Sequence, residues 1–225
     1  ARQSELNRLG YHFDGEGFLR NASDLRPQEH ELAAAQQLLV AIAAYVHGRM
    51  CSDLGYTRVL VPTLAEAVVP EARCPIFLSA GYETKERLLF IVQGSGRGLE
   101  PGIWSRTLCM TQGLNTGSML PQLQMAAKHE FGVVVINTNS RSYVNPDTGE
   151  KHPIVGSERP EAHAAYMWER FVAPTSAKHV FIMGYGYGGE VTRTLLASLA
   201  KMRTEERAAV GGAGGAAGGA GGGTG

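Results

Sequence analysis

The stretch that decides the fold is KHVFIMGYGYGGEVTRTLLASLA, residues 178–200. An apolar run, HVFIM (179–183), leads into six residues that are all glycine or tyrosine, and a polar segment with a helical stripe follows. The stripe consists of Val191, Leu195, Leu199 and Met202. This order predicts a buried strand, a tight turn and an amphipathic helix.

Two motifs overlap in the turn. Gly184, Gly186 and Gly189 spell G-x-G-x-x-G, the dinucleotide fingerprint. That motif normally opens its domain, and it requires an acidic residue about 20 positions further on. Here the motif follows earlier buried strands, and no second strand that ends in an acidic residue follows the helix before the Gly/Ala-rich tail. The sequence therefore disfavours a nucleotide site.

The second motif is the G-x-S-x-G nucleophile elbow of α/β-hydrolases, with Gly186 in place of the serine. In that fold a sharp strand-to-helix turn presents the nucleophile, and a loop after an earlier strand supplies one oxyanion-hole N–H group. The run LLFIVQG (88–94) ends in such a loop. We interpret one set as a degenerate elbow: Gly184, Tyr185, Gly186, Tyr187 and Gly188. A second set is a candidate oxyanion or anion-binding loop: Gly94, Ser95, Gly96 and Arg97.

The chemistry of a hydrolase is not present in this pattern. Gly186 has no oxygen, and in this fold the acid and the histidine follow the nucleophile along the chain. All seven histidines precede Gly186: His12, His30, His47, His129, His152, His163 and His179. Without a base, Ser95 is a weak nucleophile. The three cysteines lie far apart and form no zinc pattern, so the sequence predicts no catalytic residue, metal or cofactor.

The rest of the chain alternates strands and helices. Strands are predicted at 58–62, 75–80, 88–94, 133–139 and 179–183. Helices are predicted from Pro27 to near Gly48, at 121–130, at 159–172 and from about 189, and 141–157 has the composition of a loop. This alternation predicts an α/β fold, with a mostly parallel sheet covered by helices on both faces. A hydrolase-like sheet that ends here would lack its last strand or strands and leave an exposed edge.

Composition sets the remaining limits. The 225 residues contain 44% hydrophobic residues, with Lys+Arg and Asp+Glu equal at 21 each. This balance gives no support to direct nucleic-acid binding, and no apolar run reaches the ~18–20 residues of a membrane span. The first residues resemble a fragment boundary rather than a signal peptide. We predict one domain over 1–210, with 207–210 starting a strand, and a disordered Gly/Ala-rich tail over 211–225.

Several longer segments carry a family resemblance. They are LGYHFDGEGFLR (9–20), LLFIVQGSG (88–96), GIWSR (102–106), LNTGSMLP (114–121), FGVVVINTN (131–139), PEAHAAYMWERFV (160–172) and HVFIMGYGYGG (179–189). The chain resembles the Argonaute-binding protein two (Arb two) domain family. The resemblance implies an α/β-hydrolase-like fold and a role in small-RNA silencing, chromatin or cotranscriptional regulation. It also implies an Argonaute or histone deacetylase as partner, in the nucleus and/or the cytoplasm. Where the animal relatives are expected to carry a histidine-serine pair, this chain has Tyr185-Gly186.

The expected function is thus that of a non-catalytic interaction domain. One alternative is a serine hydrolase or esterase whose chemistry has moved to Ser95 or whose missing parts lie beyond a truncated end; another is an anion-binding module. Asn137 and Asn139 are expected to bond loop backbone. His163 is expected to make a core or surface hydrogen bond, and Trp104 to belong to the core.

Overall fold

A computed structural model of the chain describes residues 3–27, 36–96 and 99–213. Its helices are α1 (Gln3–Arg8), α2 (Gln36–Asp53), α3 (Arg106–Thr111), α4 (Leu114–Gly117), α5 (Leu120–Lys128), α6 (Pro160–Phe171) and α7 (Tyr187–Ala213). Its strands are β1 (Tyr11–Phe13), β2 (Leu19–Asn21), β3 (Thr57–Val61), β4 (Cys74–Leu78), β5 (Arg87–Val92), β6 (Gly132–Val135), β7 (Ser142–Val144), β8 (Lys151–Pro153) and β9 (His179–Gly184).

Five strands form the central sheet in the order β3-β4-β6-β5-β9. β5 runs parallel to both β6 and β9, whereas β4 is antiparallel to its neighbours β3 and β6. Four strands therefore point one way and β4 points the other way. The predicted α/β class and the mostly parallel sheet are confirmed.

Helices cover both faces of this sheet. On one face, Ile42 and Met50 of α2 pack into a buried cluster with Phe77 and Ile91 of the sheet. On the other face, a second cluster joins Phe90 and Val134 to Met167 of α6 and Leu195 of α7. Phe90 and Ile91 are neighbours in β5 but belong to different clusters, because successive side chains of a strand point to opposite faces. A strand at this place must be apolar at every position, as LLFIV is.

Three predicted elements differ from the structure. α2 continues through Gly48 to Asp53, because the fully buried Met50 adds core contacts that offset the cost of a glycine within the helix. Residues 207–210 belong to α7 and not to a strand. Alanine and arginine favour the helix that already precedes them. The expected loop 141–157 contains the hairpin of β7 and β8 around a turn at Asn145, whose side chain accepts from the Asp147 N–H.

The fourth difference concerns β9, which was predicted to be a buried strand. It forms, but its side chains are exposed from His179 to Phe181 and half-buried at Ile182 and Met183. β9 pairs with β5 on one side only, and it is the last strand of the sheet in the described part of the chain. Its apolar sequence is therefore that of a central strand at an edge position.

Some of the predictions fall on residues outside the described ranges. These are the first part of the helix predicted from Pro27, Arg97, and the tail from 214 to 225. Within the described ranges, no helix is long and apolar enough to cross a membrane. Nor do they hold any cluster of three or more His, Cys, Asp or Glu side chains suited to a metal ion.

Candidate functional site

The glycine turn joins β9 to α7 with only two residues between them. β9 ends at Gly184 and α7 begins at Tyr187. Gly186 has a φ of 54°, in the left-handed region that residues with a side chain rarely adopt. The Tyr185 N–H donates to the Val92 oxygen (3.1 Å), which fixes the turn against the end of β5. The chain thus forms the sharp strand-to-helix turn on which a nucleophile elbow depends.

Close packing explains two of the glycines in this turn. A Cβ added to Gly184 would lie 2.8 Å from the carbonyl oxygen of Gly188. A Cβ added to Gly188 would lie 2.8 Å from the carbonyl oxygen of Gln93 and still closer to that of Val92. By contrast, a Cβ on Gly186 would meet no atom nearer than the Gly94 Cα, at 4.0 Å. The position that the elbow pattern assigns to the nucleophile therefore has room for a Cβ, although its positive φ disfavours any residue with a side chain.

The loop after β5 lies directly beside this turn. A Cβ on Gly94 would lie 3.0 Å from the Tyr185 oxygen. The Asn139 side chain holds the loop in place, because its Nδ2 donates to the Gly94 oxygen and its Oδ1 accepts from the Gly96 N–H, both at 3.0 Å. The expectation that Asn139 bonds loop backbone is met. The amide of Asn137 does the same for its own loop, because its Oδ1 accepts from the N–H groups of residues 139 and 140.

The same contacts limit what the loop can bind. The Gly96 N–H is already bonded to Asn139. Within the described part of the chain, the N–H groups of Ser95 and Tyr187 donate to no acceptor. Ser95 is exposed, and none of the described histidines hydrogen-bonds to it. The arrangement therefore brings two unengaged backbone donors and a hydroxyl group to one end of the sheet, without a base.

A serine and a histidine do meet elsewhere, in the core between β6 and α6. His163 and Ser157 are both buried, and the His163 Nδ1 lies 2.8 Å from the Ser157 Oγ. The Ser157 Oγ is also 3.8 Å from the Cys74 Sγ. On its other side, the His163 Nε2 accepts the N–H of Asn137 (3.1 Å). An accepting Nε2 carries no proton, so Nδ1 must carry it and donate to Ser157.

This pair is therefore not a catalytic dyad. A general base must accept the serine proton, and the nitrogen that faces Ser157 already holds one. Burial lowers the pKa of His163 to about 3, which keeps the ring neutral. His163 instead anchors the end of β6 to α6, in agreement with the expected core hydrogen bond. Ser157 was not singled out in the sequence, because its pairing with a residue six positions away depends on the fold of the intervening turn.

Aromatic side chains flank the turn. The Trp104 ring packs against Tyr185, with ring centroids 5.4 Å apart, and its indole N–H donates to the Gln122 side chain (3.3 Å). Trp104 packs against the core as expected. The Tyr187 hydroxyl donates to a Glu161 oxygen (2.7 Å), and this hydrogen bond raises the pKa of Tyr187. The turn is thus attached to α6 as well as to β5.

Comparisons with known proteins agree on one family. The model of the Arb2 domain matches residues 3–210. A FAM172 family protein homologue of Caenorhabditis elegans is 27% identical over 194 residues, which cover 86% of this chain and 60% of the relative. The cotranscriptional regulator ARB2A homologue of Dictyostelium discoideum is 28% identical over 55% of this chain and 39% of the relative. The human cotranscriptional regulator ARB2A is 24% identical over 66% of this chain and 46% of the relative.

The chain thus spans between 39% and 60% of the length of these relatives. No solved structure matches it. The family model covers both the loop after β5 and the glycine turn, so the site described above lies within the matched region. On this evidence, and in agreement with the resemblance of its longer sequence segments, the chain belongs to the Arb2 domain family.

Proposed function

We propose that this chain is a non-catalytic, α/β-hydrolase-like domain that acts through protein partners in cotranscriptional regulation. The observation that carries the proposal is Gly186, which stands where the elbow pattern has its nucleophile and has a positive φ but no side chain. An acyl-transfer enzyme needs a nucleophile at this point and a base within hydrogen-bond reach of it. The regulatory part of the proposal is supported by the names of the matched relatives, two of which are cotranscriptional regulators.

The hydrolase-like part of the proposal is supported by the arrangement of the two loops. A glycine turn between a strand and a helix, beside a loop that follows a neighbouring parallel strand, is the layout of an elbow and its oxyanion loop. Packing alone is sufficient to retain this layout, since Gly184 and Gly188 are required by backbone contacts and not by a substrate. The layout therefore does not imply that the reaction is retained.

We propose further that the partners are of the Argonaute or histone deacetylase type, and that the protein acts in the nucleus and/or the cytoplasm. This finer statement is supported by the family resemblance alone, which is an argument by association. It is tested by binding of the purified chain to purified candidate partners in a surface-immobilised format. An Arb2 chain that binds neither class at about 10 µM would contradict it.

One observation favours a second function. Ser95 is exposed in the loop beside the turn, so a hydrolase with a displaced nucleophile has a hydroxyl group in the right region. Its activity would require a base that none of the described histidines supplies by a direct hydrogen bond. This alternative predicts a reactive serine, whereas the leading proposal predicts none.

A fluorophosphonate probe separates the two functions. We would label the parent chain beside Gly186→Ser and Ser95→Ala, with a known serine hydrolase as positive control. The non-catalytic proposal predicts no labelling of the parent. Labelling of the parent that disappears in Ser95→Ala would overturn it and establish a displaced nucleophile. Gly186→Ser is expected to fold, because its Cβ has room, and to remain unlabelled because no base is present.

The regulatory part of the proposed function is tested by rescue of cells that lack the endogenous protein. In such cells, the Ser95→Ala variant should restore the transcript levels that change on loss of the protein as fully as the parent chain does, because a scaffold does not use this hydroxyl group. The measurement is RNA sequencing of nascent transcripts in the two rescued lines. A chain with Ser95→Ala that folds but fails to restore the pattern would contradict the proposal.

A further inference from the structure

A small cavity lies at the end of the central sheet opposite the glycine turn. It is found where β3, β5 and β6 begin and where β4 ends, and its volume is about 260 Å³. Its walls include two large apolar residues and four polar ones: Leu54, Phe131, Tyr56, Ser79, Lys85 and Glu130. Since a water molecule takes up about 30 Å³ of the liquid, the cavity has the volume of about nine water molecules. It can therefore hold a small organic molecule.

Tyr56 distinguishes this cavity from an ordinary hollow of the surface. Its side chain is only 4% exposed and belongs to the buried cluster on the α2 face of the sheet. Its hydroxyl group has no hydrogen-bond partner among the residues that the structure describes, and burial alone raises its pKa, so the group stays protonated. The hydroxyl group of a buried tyrosine usually finds a partner. Because Tyr56 lines the cavity, that partner is to be expected within it.

A second hydroxyl group, that of Ser79, is held in a fixed position. The Ser79 N–H donates to the Val133 oxygen (3.0 Å), and the Ser79 Oγ accepts the Val133 N–H (2.8 Å). Since the oxygen of this hydroxyl group is already used as an acceptor, its proton is the part left for another molecule. Within the described ranges this proton reaches no acceptor. The cavity thus has two O–H donors on a rigid support.

Two side chains of opposite charge complete the polar wall. Lys85 is half-buried and precedes β5, whereas Glu130 is exposed and precedes β6, the neighbour of β5. Neither forms an ion pair with the other or with any other described residue. Glu130 has a φ of 58° just after α5, where glycine is the usual residue. Non-glycine residues in this conformation are found preferentially at functional sites.

We propose that this cavity binds a small α-amino acid as its zwitterion. The carboxylate of the ligand accepts from the Lys85 ammonium and from the hydroxyl groups of Tyr56 and Ser79, which are the donors that a carboxylate requires. The ammonium group of the ligand binds the Glu130 carboxylate at the mouth of the cavity. A simple anion would be repelled by Glu130 and a simple amine by Lys85, so a molecule with both charges matches the site.

The apolar wall and the volume narrow the choice of ligand. Leu54 and Phe131 contact an aliphatic side chain better than a charged one. A volume of about nine water molecules suits an amino acid of about seven to nine non-hydrogen atoms. The site lies at the other end of the sheet from Gly186, so it does not depend on the function proposed for the glycine turn.

Thermal unfolding of the whole chain tests the proposal, with L-serine, L-threonine, L-valine or L-leucine added at about 0.1 to 20 mM. A saturable rise in melting temperature is expected with at least one of them. The analogues of that amino acid that lack the carboxylate or the amino group should each bind about tenfold more weakly or worse. For L-leucine these analogues are 3-methylbutylamine and 4-methylpentanoate.

Two variants locate the binding. Tyr56→Phe keeps the buried ring and removes only its hydroxyl group, and Glu130→Gln removes the charge of an exposed side chain. Each should raise the dissociation constant about tenfold or more. The matched controls are Tyr143→Phe in the β7–β8 hairpin and Glu71→Gln, since both residues lie outside the cavity and should leave binding unchanged.

Each outcome decides the question. A parent chain that shows no saturable rise with any of the four amino acids would overturn the proposal. An amine or an acid that binds as tightly as its amino acid would also overturn it, since one of the two charges would then have no role. Binding that survives both Tyr56→Phe and Glu130→Gln would place the ligand elsewhere. If Tyr56→Phe does not fold by circular dichroism, Glu130→Gln decides alone, because its side chain is exposed.

Discussion

Gly188→Ala is the sharpest test of how the site is built. Gly188 is buried at the start of α7, where the helix meets the end of β5. The added methyl group would lie 2.8 Å from the Gln93 carbonyl oxygen and closer still to that of Val92. Both atoms belong to the backbone of the central sheet, so neither can turn away as the end of a side chain could. Either α7 or the end of β5 must move.

The expected loss of stability follows from two opposing effects. Overpacking of this kind costs about 1–3 kcal/mol, and contacts with fixed backbone lie at the upper end of that range. Alanine in place of glycine in a helix returns about 0.5–1 kcal/mol. The free energy of unfolding should therefore fall by about 2 kcal/mol. For a chain of this size, 1 kcal/mol shifts the melting temperature by about 2–4 °C, so a decrease of about 4–8 °C is expected.

Gly189→Ala provides the matched control, since it is the same substitution one residue further along α7. Gly189 is exposed, and an added Cβ would meet no atom within 4 Å. Because the added methyl group makes no close contact, only the higher helix propensity of alanine affects the stability of this variant. Its melting temperature should therefore rise by about 1–4 °C. Thermal unfolding followed by circular dichroism measures both variants. If Gly188→Ala is as stable as Gly189→Ala, the close packing of α7 on β5 is wrong, and with it the structural account of the elbow.

Two further predictions concern buried titratable groups. The pKa of His163 is lowered to about 3 by burial, so the unfolded chain binds a proton below pH ~6.5 that the folded chain does not bind. The stability that the neutral ring contributes is thus fully present above pH ~6.5, and the free energy of unfolding falls by about 1.4 kcal/mol per pH unit below it. Urea unfolding at several pH values should show that this free energy depends less on pH in His163→Asn than in the parent. Burial also raises the pKa of Cys74 to about 11 and that of Cys109 to about 12. At pH 8 a thiol reagent should therefore label only the half-buried Cys51 in the folded chain, but all three cysteines in denaturant, and rapid native labelling of Cys109 would contradict its buried position.

Much of the fold could be predicted because local patterns report directly on it. The continuous apolar run of β5 indicated a strand covered on both faces, and that strand is central. The apolar run of β9 has the same pattern, but the strand lies at an edge. Periodicity reports which side chains can be buried, whereas the order of strands in the sheet decides which of them are. That order depends on contacts between distant segments, which the pattern of a single segment does not contain.

Part of the candidate site could likewise be predicted from the sequence, and part could not. The glycine turn was identified from spacing, because a sharp strand-to-helix turn restricts some of its positions to residues without a side chain. The position of Asn139 after β6 likewise indicated a role in bonding loop backbone, which it has. The link between His163 and Ser157 is set by burial and by the Asn137 N–H, and it has no sequence signature.

If the proposed function is right, packing in the turn accounts for a hydrolase-like layout that no longer carries out its reaction. Gly184 and Gly188 are required wherever α7 packs on β5, because their contacts are with backbone. Gly186 lies between them, and a Cβ there would meet no atom nearer than 4.0 Å, so this packing does not require glycine at that position. A side chain there costs about 1–2 kcal/mol for the left-handed conformation, and that cost is repaid in an enzyme by catalysis. Where nothing requires the nucleophile, glycine at this position relieves the strain and leaves the surrounding structure intact. The retained turn is then a consequence of the packing around Gly184 and Gly188.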